Sequence, residues 1–101
     1  MGVLYGNINS DGSTKSGSGE FSSRKAGNGE YVVTFRPKFH GVPSVIATQN
    51  YPGWSDFGSS GGSTKDNCTI VAVSYGEVKI KTGDGDGKAT DRNFCFIAVG
   101  A

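Results

Sequence analysis

Three aromatic residues recur at three-residue spacing in the stretch Asn50 to Asp66, NYPGWSDFGSSGGSTKD: Tyr51, Trp54 and Phe57, set among glycine, serine and charge. Trp54 is the only tryptophan in the chain. Within seven residues Asn50, Tyr51, Trp54 and Asp56 supply aromatic plates together with amide and carboxylate groups. A sugar ring, with one apolar C–H face and a rim of hydroxyls, is recognised by that combination. Packing is the competing expectation, in which one or two rings fold back to cap the open end of a core or meet a neighbouring subunit. Loops longer than about 12 residues are often functional, so both expectations stand at this point.

Other chemistries fit less well. GDGDGKATD brings Asp84, Asp86 and Asp91 close together as hard oxygen donors for calcium, but Lys88 interrupts the series and no glutamate closes it. A solvated hairpin turn and no metal is the expectation there. His40 is the sole histidine, in KFHGVP, and no serine or cysteine is spaced to be activated by it. With no base–nucleophile pair to propose, the chain reads as non-enzymatic and without a cofactor. GSSGG lacks the strand-to-helix context of a phosphate-binding loop. Asn67-Cys68-Thr69 matches a glycosylation sequon at the start of an apolar run, and we read the match as chance. Cys68 and Cys95 lack zinc spacing and fit two buried thiols on neighbouring strands, with a cross-link as the alternative.

The elements that must carry these residues read as strands, because apolar positions recur at period two. In EYVVTFR, Tyr31, Val33 and Phe35 share one face; in EVKIKT, Val78 and Ile80 point inward and Glu77, Lys79 and Lys81 outward. VPSVIATQ sets Val45 and Ala47 against Ile46 and Thr48. CTIVAVSY and NFCFIAVG are apolar on both faces, as in strands covered on both sides. Two weaker strands lie around VLYGNIN and GEFSSRK, and Ser10 to Gly19 reads as a long hairpin loop or an N-terminal arm. The sum is an all-β, compact antiparallel β-sandwich of about six to seven strands in a single domain, residues 1–101. Residues 1–29 form its glycine-rich N-terminal part and 30–100 its core. In NFCFIAVG, Phe94, Phe96 and Ala98 alternate with Cys95, Ile97 and Val99. A chain of this size does not bury both rows alone, which predicts a homo-oligomer.

Composition agrees. Glycine supplies 17 of the 101 residues, the signature of many turns. Ten basic and nine acidic residues are scattered to a net charge of +1, so no basic run exists to track nucleic acid. No apolar stretch approaches the roughly 20 residues of a membrane-spanning helix, which argues against membrane insertion. MGVLYGNINSDG lacks the charged start and apolar core of a signal peptide.

The pattern V-x-F, three residues, F, three residues, P-x-V in YVVTFRPKFHGVPSVIAT, closed by the aromatic-x-I-A-x-G strand FCFIAVG, resembles the H-type lectin domain. It is also similar to glycine-rich modules at the ends of phage tail fibres. The likeness spans Tyr31 to Gly100 and rests on core positions. It implies a trimer about a threefold axis and a sugar site near the protomer junction; the compartment stays open, with an extracellular, virion or cell-surface location favoured over the cytoplasm. Such lectins place an aromatic or a histidine just before the last strand; GDGDGKATDRN has neither and offers only Asp86, Lys88, Asp91 and Arg92. The sugar platform would then be Asn50, Tyr51, Trp54 and Asp56, with Lys88 and Arg92 as donors from a neighbouring loop. The expectation is a multivalent carbohydrate-binding or adhesion module, and the alternative is a structural trimerisation knob without a sugar site.

Overall fold

The computed structural model describes residues 2–101. Eight strands follow one another: β1 (Gly2–Ile8), β2 (Thr14–Gly17), β3 (Phe21–Gly27), β4 (Glu30–Phe35), β5 (Ser44–Asn50), β6 (Asn67–Val73), β7 (Glu77–Gly83) and β8 (Asn93–Gly100). They form two four-stranded antiparallel sheets, ordered β2-β1-β8-β5 and β3-β4-β7-β6. No helix occurs among the described residues, hence none long and apolar enough to cross a membrane.

The strand count exceeds the six to seven expected. The additional strand is β2, inside the segment read as a loop or arm. Its residues, TKSG, are all exposed and none is apolar, so it carries no inward row. It is recruited by the main chain, through pairing of Gly6 with Gly17 and Asn7 with Ser16, and by the Asn7 amide donating to Ser16 Oγ at 2.9 Å. Periodicity cannot find a strand of this kind.

Between the sheets lies one core, in which Leu4, Ile8, Tyr31, Val33, Phe35, Val78, Ile80, Phe94, Phe96 and Ala98 are buried. Register brings these residues together. Tyr31 pairs with Ile80 and Val33 with Val78 in one sheet, and Leu4 with Ala98 and Ile8 with Phe94 in the other. Across the sandwich, Tyr31 and Phe94 rings lie 5.0 Å apart and Phe21 meets Phe96 edge-on at 5.1 Å. That edge-on pair explains Gly6, where a Cβ would come within 2.6 Å of both the Phe21 and Phe96 rings. The Tyr31 hydroxyl donates to the Ser10 carbonyl at 2.8 Å and accepts from the Arg92 amide at 3.1 Å, fastening the two loops at that end of the sandwich.

Burial on both faces is expected of the two apolar strands; β8 buries only its inner row, Phe94, Phe96 and Ala98, and β6 buries neither, its inward Cys68, Ile70 and Val73 being half-buried. β6 is an edge strand whose Val71 stands exposed. In β8 the outer row, Ile97 and Val99, is open in the single chain and continues into Val3 and Tyr5 of β1 and Ile46 of β5. Cys68 and Cys95 are half-buried free thiols, and they lie in different sheets rather than on neighbouring strands.

Candidate functional site

β5 runs to Asn50, and the chain then leaves the sandwich for the long loop before β6 begins at Asn67. Short-range hydrogen bonds shape this loop. The Trp54 amide donates to the Tyr51 carbonyl at 3.3 Å, the Ser59 amide to the Asp56 carbonyl at 3.1 Å, and the Gly61 amide to Ser59 Oγ at 2.9 Å. Asp56 Oδ1 accepts the Gly58 amide at 3.1 Å, an Asx turn that orients its carboxylate. The loop thereby curls into a concavity of about 120 Å³ lined by Asn50, Tyr51, Pro52, Gly53, Trp54, Asp56, Ser59 and Gly61.

Two features of this hollow are costly in a folded chain. Asn50 Nδ2 is buried and has no hydrogen-bond partner. A buried donor left unpaired costs on the order of 1–3 kcal/mol. Trp54 adopts φ +44°, left-handed backbone that a bulky side chain rarely takes up. Tyr51 is half exposed, Trp54 half-buried, and Phe57 stands at the tip 98% exposed, so the three rings do not cap the core. Lys15 of β2 places Nζ 5.2 Å from the Trp54 ring centre, a cation held over the aromatic face.

Of the six residues singled out in the sequence, four line this concavity: Asn50, Tyr51, Trp54 and Asp56. Arg92 lies at the foot of the loop, its Nη1 3.1 Å from Asp66 Oδ2, while Asp66 Oδ2 also accepts the Ser63 amide at 3.2 Å. Lys88 sits exposed in the turn between β7 and β8, where its amide donates to Asp84 Oδ1 at 2.9 Å. That hydrogen bond, joined by one from the Asp86 amide, holds the Asp84 carboxyl below its ordinary value. Asp91 Oδ2 is engaged by Lys25 Nζ at 2.6 Å and Asp91 Oδ1 by the Gly29 amide at 2.7 Å. The acidic turn is thus built around its own backbone and a lysine. Lys15 and Ser59 belong to the site as well. Ser59 was available to a reading of loop composition, whereas Lys15 carried no signal without β2. Compared with family models, with characterised proteins and with solved structures, the chain matches none.

Proposed function

We propose that this chain is a non-enzymatic glycan-binding or surface-adhesion module that works as a multivalent homo-oligomer, with the Asn50–Asp56 hollow as its sugar site. The observation that carries this reading is the hollow itself, where the Asp56 carboxylate and Asn50 stand beside two accessible rings, one of them on strained backbone. The Asp56 carboxylate would accept from a sugar hydroxyl, while Tyr51 or Trp54 would cover the apolar face of the ring. The volume accommodates part of a sugar, so a single contact is weak and several copies acting together supply the avidity. A trimer is the assembly the lectin resemblance implies.

The test is a glycan array probed with the labelled native oligomer. Binding to a related set of sugars, abolished by Trp54→Ala in a protein that still folds, supports the reading. Silence across the array favours the second reading, an assembly knob of a fibre or larger protein. That reading draws on a separate observation, the exposed apolar row of Val3, Tyr5, Ile46, Ile97 and Val99 on one sheet face.

A further inference from the structure

The hairpin turn Ser74–Glu77 joins β6 to β7 at the end of the sandwich opposite the aromatic loop. It borders an open cleft of about 530 Å³, within the roughly 300–1,000 Å³ range of small-ligand sites. Thr34, Lys38, Val42, Val73, Tyr75 and Glu77 line it with the turn itself. We propose that this cleft is a second binding site, for a neutral hexopyranose at the end of a glycan, with Tyr75 as its stacking plate and Lys38 and Glu77 as its polar clamp.

The cleft is pre-organised. Ser74 Oγ accepts the Gly76 and Glu77 amides at 3.3 and 3.2 Å, and the Ser74 amide donates to the Glu77 carbonyl at 2.8 Å. From outside the turn, the Phe39 amide donates to the Tyr75 carbonyl at 2.9 Å and the Phe35 amide to the Gly76 carbonyl at 2.8 Å. Main-chain atoms and one hydroxyl thus fix the turn. Tyr75 Oη, Lys38 Nζ and the Glu77 carboxylate are left available for a ligand. None of the three ion pairs among the described residues involves Lys38 or Glu77.

The lining selects the ligand class. Tyr75 is 54% and Val42 56% exposed, an aromatic plate and an apolar wall facing solvent together. A purely apolar ligand would cover them and desolvate an ammonium and a carboxylate without partners, which is unfavourable. A simple anion would suit Lys38 but meet Glu77. A pyranose answers all four groups: its C–H face covers Tyr75, its hydroxyls donate to Glu77 and accept from Lys38, and Val42 closes the side. A smaller cleft of about 210 Å³ shares Val73, Ser74 and Glu77 and continues toward Val32 and Lys79, leaving a track for the next sugar.

This second site rests on the glycan-binding reading but not on the aromatic loop. The test titrates the isotopically labelled full chain with methyl glycosides of glucose, galactose, mannose and N-acetylglucosamine, following Val42 and Val73 methyl signals and the Tyr75 amide. The expected result is saturable shifts at those positions for at least one glycoside, present in Trp54→Ala as in the parent. Affinity falls about tenfold or more in Tyr75→Ala and in Glu77→Gln. Glu77→Gln keeps the side-chain length and the turn hydrogen bonds, so it remains informative if Tyr75→Ala folds poorly. No shifts at these positions with any glycoside, or shifts untouched by both substitutions, overturn the second site. Shifts confined to the Asn50–Gly61 loop overturn it too while leaving the loop reading standing; shifts confined to the Tyr75 cleft do the reverse.

Discussion

Arg92 and Asp66 form an ion pair of 3.1 Å between the approach to β8 and the foot of the aromatic loop, with side chains only 24% and 12% exposed. Neither residue lines the hollow, yet the pair pins the returning arm of the loop, where Asp66 also accepts the Ser63 amide. Removing one member of a largely buried pair leaves the other charge unmatched, which is more damaging than losing an exposed bridge. Arg92→Met is expected to cost about 1–3 kcal/mol, read from urea unfolding. It should also raise amide exchange between Ser59 and Asp66. A double variant with Asp66→Asn should recover part of that loss; strict additivity of the two changes would show that the pair contributes nothing.

Trp54 invites the opposite experiment. Glycine adopts φ +44° without the penalty a Cβ imposes, so Trp54→Gly is expected to leave global stability unchanged or to raise it by up to about 1 kcal/mol. Glycan binding through the loop should vanish in the same protein. Stability rising as function falls is what a strained binding residue gives. A loss above about 1 kcal/mol in thermal or urea unfolding would instead assign the indole to packing.

The inward rows were legible because alternation is a property of the strand itself. Tyr31, Val33 and Phe35, or Val78 and Ile80, point to the core whatever their neighbours do. The loop residues were legible as chemistry, since an aromatic-rich stretch of glycine and serine has no role in a sheet. Strand β2 was not legible, because backbone pairing to Gly6 and Asn7 leaves no mark on side-chain type. Lys15 was hidden with it. The Tyr75 cleft was hidden for a different reason. Lys38, Val42 and Tyr75 are far apart in sequence and meet only once the β6–β7 hairpin has docked against the segment after β4.

Asp91 gives a pH signature. Its carboxyl lies below the ordinary 3.8, chiefly through the hydrogen bond from Lys25 and then through that from the Gly29 amide. A folded-state value below the unfolded one means stabilisation present above about pH 4 that is lost as pH falls through the depressed value. Asp91→Asn should therefore be less stable than the parent at pH 6, with the difference shrinking steadily below pH 3.8. Urea midpoints measured from pH 6 to pH 2 decide it. A constant difference across that range would mean that the carboxylate charge is irrelevant.

Burial pushes the Cys68 thiol up to about 11, with the neighbouring Cys95 thiol adding to the rise. At pH 8 its thiolate fraction is then smaller than that of an ordinary cysteine by roughly a hundredfold. Iodoacetamide labelling of the folded protein, resolved by peptide mass spectrometry, should show Cys68 reacting about that much more slowly than the same residue in urea. Equal rates in the two states would mean that the thiol is open to solvent.

The apolar row across β1, β8 and β5 yields the last expectation. Tyr5, Ile97 and Ile46 are matched across the three strands by register, at 52%, 49% and 73% exposure, and Val3 pairs with Val99 beside them. A contiguous apolar band on one sheet face is unusual for a monomer and is characteristic of association surfaces. Ile46 projects furthest and packs least within its own chain, so its replacement tests association with little effect on folding. Ile46→Glu buries a carboxylate in any self-contact through this face, and the parent chain should sediment as an oligomer where the variant sediments as a monomer. Urea unfolding of the variant, carried out where both proteins are monomeric, should match the parent within about 0.5 kcal/mol. Glycan-array signal should drop in Ile46→Glu if avidity sets it, although the Asn50–Asp56 hollow is untouched. A parent chain that stays monomeric at the highest concentrations reached would remove the oligomer from the proposal and leave single-site binding alone.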